Sequence, residues 1–227
     1  MSDARLPALL HLCDSLFPTG GYAHSDGLEA ATASGLVASA ADIRDWVAAL
    51  LDGTLRTLDG PAVCLAWEHL VDRRVEELRR LDDDVHALRP SSAGRDAARA
   101  VGTRLLKTWQ RLHPNPPIAA MIAGCPLQRG WTLPVAFGVA CASAGIAQRS
   151  AVEAFLYTRV ASVASSAMRL MPLGQIDAHA IVAAATERMP QVADRILARR
   201  EEPRSFSPLM DIMSMQHQYV TSRLFRS

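Results

Sequence analysis

SAADIRDWVAALLDGTLRTL, residues 39–58, is the stretch that decides the fold class of this 227-residue chain. Its apolar residues recur at intervals of three and four, which places them on one face of an α-helix. They are Ile43, Trp46, Val47, Leu50, Leu51, Leu55 and Leu58. Ser39, followed by Asp42 three residues later, is typical of a capping box at a helix start. The stretch therefore predicts one long amphipathic helix.

The same helical spacing continues towards the carboxyl terminus. An apolar stripe predicts a second helix, which Pro90 should end; it consists of Val71, Val75, Leu78, Val85 and Leu88. A further helix is predicted over residues 94–112, with an apolar face formed by Ala98, Val101, Leu105, Trp109 and Leu112. We expect its basic residues to be solvated or to face a partner. They are Arg95, Arg99, Arg104, Lys107 and Arg111.

Between the prolines at positions 114, 116 and 117 and Ala147, small and apolar residues predominate, which predicts closely packed central helices. Ser150 and Glu153 form a second predicted capping box, opening a helix that should end before Pro172. Two shorter helices are predicted over residues 177–189 and 190–200. Because no segment alternates apolar and polar residues over a strand's length, the predicted fold is all-α.

We expect a single domain over residues 1–227, a helical bundle of roughly ten helices. Residues 1–24 form an amino-terminal segment and residues 201–227 a carboxyl-terminal tail. In the tail, Ser207 before Pro208 resembles an N-cap followed by a first-turn proline. Its methionines and bulky apolar residues form an adaptable stripe; the latter are Leu209, Ile212, Tyr219, Leu224 and Phe225. Such a stripe can pack on its own domain or on a partner, and the sequence favours neither.

Composition excludes several functional classes. A net charge of +1 and 5% aromatic residues provide neither an electrostatic footprint nor a stacking surface for nucleic acid. Four cysteines without C-x-x-C spacing indicate buried, reduced thiols. Residues 131–148 carry no charge, but their small and polar residues favour a buried helix over a membrane span. An acidic residue at position 3, where a signal peptide needs positive charge, predicts a cytoplasmic protein.

One predicted turn, residues 18–26, contains two glycines close to a histidine, a serine and an aspartate, which are residue types found in catalytic sites. A phosphate-binding loop needs a lysine there, and Lys107 is the only lysine in the chain. His24, Ser25 and Asp26 are adjacent in sequence, so they cannot face one another as a hydrolytic triad does. We interpret the segment as a turn in which Asp26 caps a helix whose third residue is Glu29.

The histidines do not have the spacing of a closed metal site. Seven histidines are present, but no H-x-x-x-H or C-x-x-C pair sets two ligands on one helical face. A transient or shared site remains open. An alternative function is therefore a nickel carrier that acts on its own through His11, His24, His217 and the methionines.

Three separated segments resemble the urease accessory protein F family. They are LFPTGGYAHSDGLE at 16–29, AMRLMPLGQ at 167–175, and an ending that combines SPLMDI at 207–212, His217 and SRLFRS at 222–227. Their order and spacing extend the resemblance over essentially residues 6–227. The ending is the most specific of the three.

The resemblance implies a non-enzymatic, all-helical homodimer. Its expected partners are urease accessory protein D, also called H, the GTPase accessory protein G, and apo-urease, into which the assembly inserts nickel. No cofactor and no tightly bound metal is expected on this chain. By resemblance, the residues that control the GTPase are Glu29, Arg169, Gly21, Tyr22 and Ser25. Those that bind accessory protein D/H are Pro208, Leu209, Asp211, Ile212, His217, Arg223, Leu224, Phe225 and Arg226.

Overall fold

The computed structural model describes residues 5–123, 130–199 and 202–226, and every regular element in these ranges is helical. The α-helices are α1 Leu6–Cys13, α2 Leu28–Ala33, α3 Ala40–Leu50, α4 Gly60–Val71, α5 Val75–Ala87, α6 Ser92–Leu112, α7 Pro116–Ala123, α8 Leu133–Ser143, α9 Gln148–Leu170, α10 Gln175–Arg199 and α11 Pro208–Gln216. Two short 3₁₀ turns cover Gly21–Ala23 and His217–Tyr219. The all-α prediction is confirmed, with eleven α-helices in the described ranges.

The helix predicted over residues 39–58 is regular only in its first half, Ala40–Leu50. Its capping box is present, since Ser39 Oγ accepts from Asp42 N and the Asp42 carboxylate accepts from Ser39 N. After Leu50 the backbone continues as a π-helical segment, Leu51–Asp59, in which Gly53 leaves helical φ/ψ. Its leucines are still buried, so the apolar spacing predicted the buried face but not the wider turn.

Two predicted helix boundaries are wrong. Val71 ends α4 and does not open the next helix, because the chain turns at Arg73, where φ is 57°. Helix α9 begins at Gln148 with Ala147 as its N-cap, so Ser150 lies inside the first turn and does not cap it. The end of α9 at Leu170, ahead of Pro172, is confirmed.

The two short helices predicted around Pro190 are one helix, α10, with that proline inside it. Proline removes one backbone hydrogen bond and crowds the preceding turn. Here apolar side chains on both sides of it are buried in the same core, namely Ile181, Ala185, Met189, Val192, Ala193 and Ile196. Because tertiary packing supplies most helix stability, burial of one continuous face overrides the local cost of the proline. The predicted end at residue 200 lies outside the described residues.

Helix α8 forms the centre of the bundle and packs against α4, α6 and α9. Its residues from Pro134 to Cys141 are all buried, which confirms the prediction of a core helix in the uncharged segment. A Cβ atom at Gly138 would lie 2.5 Å from Val63 O, so glycine is what allows α4 and α8 to approach this closely. No helix in the described ranges is long and apolar enough to span a membrane.

A buried polar cluster links α5, α6 and the segment before α8. The Asp82 carboxylate, fully buried, accepts from Thr132 N and Thr132 Oγ1 at 2.7 Å each. It also pairs with Arg99 Nη1 at 3.0 Å. Arg99, only 7% exposed, donates further to His86 Nδ1 and to Gly130 O. The expectation that Arg99 is solvated or faces a partner is therefore wrong, because its charge is neutralised inside the core.

None of the described cysteines is joined in a disulfide. Cys64 and Cys141 are buried, and Cys13 is half-buried. Burial raises the pKa of the Cys13 thiol to about 11 and that of Cys141 well above its usual value. The thiols of Cys13 and Cys141 are therefore protonated and poorly nucleophilic at neutral pH. Cys125 lies outside the described residues.

Candidate functional site

The turn of residues 18–26 is held by backbone geometry and by one ion pair. Glycines 20 and 27, with φ of 73° and 86°, provide left-handed positions at its two ends. Asp26 also has a positive φ, 52°, and pairs with Arg159 of α9. The N-cap of α2 is Gly27, and Ser25 Oγ accepts from Glu29 N at 3.4 Å. The prediction that Asp26 caps α2 is therefore wrong, because its carboxylate is held by Arg159.

Glu29, in the first turn of α2, is a buried carboxylate that binds the tail. It is 3% exposed. One oxygen, Oε2, lies 2.6 Å from His217 Nε2 and accepts from Phe225 N at 3.3 Å. The other, Oε1, accepts from Leu224 N at 2.5 Å. All three donors lie in the tail, so one carboxylate joins residues about 190 positions apart. We call this group the Glu29 clamp: Glu29, His217, Leu224 and Phe225.

Arg169, at the end of α9, connects the turn to the tail. Its Nη1 donates to Tyr22 O at 2.7 Å, and its guanidinium carbon lies 4.2 Å from the centre of the Phe225 ring. Arg226 N donates to Ala23 O at 2.8 Å. The three segments that carry the family resemblance are far apart in sequence, and the fold brings them together at this point.

The rest of the tail is attached to the domain along its length. Arg204 N donates to Thr57 O, and Thr54 Oγ1 donates to Ser207 Oγ, so the tail begins against the π-helical segment. Ser207 and Pro208 start α11 as predicted. Helix α11 then packs on α2, where a Cβ at Gly27 would lie 2.8 Å from Ser214 N. Glycine at position 27 is thus required for α11 to lie this close.

The tail has a buried face and an exposed apolar face. The buried face consists of Met210, Met213, His217 and Phe225. The exposed face, which we call the outer face, consists of Leu209, Ile212, Met215, Tyr219 and Leu224, with side chains 39–78% exposed. The sequence left open whether the stripe packs on its own domain or on a partner. In the structure one face packs on the domain and the other is exposed.

The structure gathers most of the predicted site residues around the clamp. Gly21, Tyr22 and Ser25 lie in the turn beside it, and Tyr22 is 76% exposed. Pro208, Arg223 and Arg226 are exposed, and Asp211 is half-buried. Sequence reasoning missed Arg159, the one charged residue between Glu153 and Arg169 of α9. Burial lowers the pKa of Arg159 to about 10, which still leaves it charged at neutral pH.

His24 makes the turn sensitive to acid. Burial, together with the charges of Arg159, Arg226, Arg104 and His217, lowers its pKa from 6.5 to about 4. Between these values the unfolded chain binds a proton that the folded chain does not, so the free energy of unfolding should fall as pH drops from about 6.5 to about 4. We expect H24Q to flatten this pH dependence in urea titrations at several pH values. H179Q, at an exposed histidine, should not change it; equal slopes for wild type and H24Q would contradict the prediction.

The described residues contain no group of three or more histidine, cysteine or carboxylate side chains arranged for a metal ion. His217 contacts Glu29, and His11 contacts His113. His11 and His217, two of the histidines named in the alternative carrier function, therefore belong to different local clusters.

The fold and the site define a class of protein: an all-helical domain in which a glycine-rich turn, the end of a long helix and the carboxyl-terminal tail meet at one buried carboxylate. Comparison with known proteins shows to which family such a chain belongs. The UreF family model matches residues 37–186. Proteins named urease accessory protein UreF match nearly the whole chain: 32% identity in Granulibacter bethesdensis, covering 99% of this chain and 95% of the relative, and 31% in Methylibium petroleiphilum, covering 99% and 94%. The relative from Arthrobacter is 31% identical, covering 97% and 96%. The chain belongs to the UreF family of urease accessory proteins.

Proposed function

We propose that this chain is a non-enzymatic scaffold in urease maturation. In this proposal it acts as a cytoplasmic homodimer, binds accessory protein D/H, recruits the GTPase accessory protein G, and supports GTP-dependent nickel insertion into apo-urease. Nickel is the cargo of the complex and not a resident cofactor of the chain. The observation that carries the proposal is the convergence of the turn, Arg169 and the tail at the Glu29 clamp.

The outer face of the tail is the proposed surface for accessory protein D/H. It combines methionine, leucine, isoleucine and tyrosine side chains that are exposed although their helix is already docked. Methionine-rich apolar surfaces adapt to a partner's shape, and a rigidly held helix loses little entropy on binding. His217 and Phe225 are buried, so their proposed contribution is to hold α11 and residues 217–226 in the orientation that the partner meets.

The turn beside Arg169 is the proposed surface for the GTPase. The Tyr22 side chain is exposed to solvent, and Arg169 holds the Tyr22 backbone by a hydrogen bond to its carbonyl oxygen. Glu29 is buried, so its proposed influence on the GTPase is indirect. It holds the tail against α2 and thereby sets the conformation of the turn that contains Gly21, Tyr22 and Ser25.

Changing the outer face should weaken partner capture without unfolding the protein. The triple variant L209S/I212S/Y219S replaces three of the five side chains of the outer face and keeps the Glu29 clamp. We expect its affinity for accessory protein D/H to fall at least about tenfold, because exposed apolar anchors that become buried in an interface dominate binding. The measurement is co-purification of the co-expressed proteins, followed by titration of the purified partners and by urease activation in cells.

A matched control is available on α10, where Ile176 is 86% exposed and lies outside the tail. I176S should bind like wild type. A variant lacking residues 201–227 should lose D/H binding altogether, although it also uncovers Glu29. Normal capture by both the triple variant and the deletion would overturn the proposed role of the tail.

A further inference from the structure

A pair of histidines lies outside the Glu29 clamp, and the proposed function does not use it. His11 is near the end of α1, and His113 is the residue at which α6 ends. Their ring nitrogens, His11 Nδ1 and His113 Nε2, are 3.2 Å apart. His11 is exposed and His113 half-buried, so the gap between them can be reached from solvent.

The distance between the two nitrogens fits a shared metal ion. Imidazole nitrogens bind zinc at about 2.0–2.1 Å, so two ligands of one ion stand about 2.9 Å apart at a 90° angle and about 3.4 Å apart at a tetrahedral angle. The observed 3.2 Å lies between these values. Without metal this contact is a hydrogen bond between the two rings. A metal ion would replace that bond, and the rings would turn until both lone pairs face one point.

Neighbouring aromatic rings hold both imidazoles in place. His113 stacks on Trp109 with ring centres 4.0 Å apart, and His11 lies edge-on to Phe17 at 5.4 Å. Trp109 is itself fixed, since its Nε1 donates to Ser143 Oγ at 3.0 Å. These contacts restrict the positions of both imidazoles, so the two ligands lose less entropy on binding a metal than freely rotating side chains would.

We propose that His11 and His113 form a two-histidine site for a divalent transition metal of the zinc and nickel type, with water completing the coordination. Imidazole nitrogen suits these ions. Two protein ligands leave open positions, so the ion exchanges readily and links α1 to the end of α6. The proposal does not rest on the role of the tail or on any partner.

The test is a titration of the purified full-length chain with Zn²⁺ and, separately, with Ni²⁺ by isothermal calorimetry. We expect one saturable site per chain, and a rise in the thermal midpoint of several degrees at saturating metal, because the ion binds only the folded arrangement. H11A and H113A should each weaken binding at least about tenfold and remove most of the thermal shift. Circular dichroism without metal shows whether each variant is folded.

H179A serves as the control, because His179 is exposed on α10 and lies outside the pair. It should bind metal like wild type. The proposal is overturned if wild type shows no saturable binding, if H179A loses binding as strongly as H11A, or if the loss is confined to one of the two paired histidines. Because H11A changes an exposed side chain, it keeps the test decisive even if H113A unfolds.

Discussion

E29A is expected to release the tail and to lower the free energy of unfolding by about 2–4 kcal/mol. The substitution removes the acceptor for His217 Nε2 and for the backbone N–H groups of Leu224 and Phe225. Donors left buried without a partner are costly, so residues 217–226 should leave the domain to regain hydrogen bonds with water. Limited proteolysis followed by mass spectrometry should show rapid cleavage within the tail, and urea titration gives the change in stability.

Two further variants separate the clamp from general effects of a lost charge. E29Q keeps the side-chain volume but replaces one acceptor oxygen with a donor group, so its effect should be intermediate. D177A removes an exposed first-turn acid from α10 and should leave both proteolysis and stability unchanged. A protease-resistant tail in E29A would contradict the assignment of Glu29 as the clamp.

D82A should destabilise the whole domain by about 3–5 kcal/mol. It removes the buried carboxylate 3.0 Å from Arg99 Nη1 and leaves the buried guanidinium with only the exposed Asp83, 3.7 Å from its Nη2. Thr132 would also lose the acceptor for its backbone N–H and its hydroxyl. For a chain of this length, we expect the thermal midpoint to fall by roughly 10 °C in differential scanning calorimetry. Unlike E29A, this change should not make the tail selectively sensitive to protease.

The matched control is D84A, since Asp84 lies on the same helix and is exposed. It should change stability little. Adding R99M to D82A should recover part of the loss, because an apolar side chain has no charge to leave unpaired. If the effects of D82A and R99M simply add, the two residues are not coupled and the explanation fails.

The sequence predicted those parts of the fold that depend on local pattern. The apolar spacing of α6, the end of α9 before Pro172, the capping box at Ser39, and Ser207 with Pro208 before α11 all lie within one helix or at its end. In these cases the residues that determine the structure are within a few positions of one another. Where tertiary packing decided the outcome, local rules failed, as at Pro190 inside α10 and at Arg99 inside the core.

The candidate site was predicted as a set of residues but not as an arrangement. Family resemblance supplied Glu29, Arg169 and the tail separately. In sequence, Glu29 looks like any acidic residue in the first turn of a short helix. Nothing near it indicates that its hydrogen-bond partners lie 188–196 positions away. Periodicity identifies the apolar face of a helix but not what covers it, so the division of the tail into buried and outer faces required the structure. The predicted roles of these residues in binding partners stay predictions.

The Glu29 clamp also has a consequence for the order of synthesis on the ribosome. A chain emerging amino terminus first presents α2 early, but the groups that cover Glu29 are made about 190 residues later. During that interval the carboxylate lacks its three partners in the tail. Closing so long a loop is entropically unfavourable until the intervening helices have packed. Closure of the clamp is therefore a late event, which occurs only after the helices between its two halves have been made and have packed.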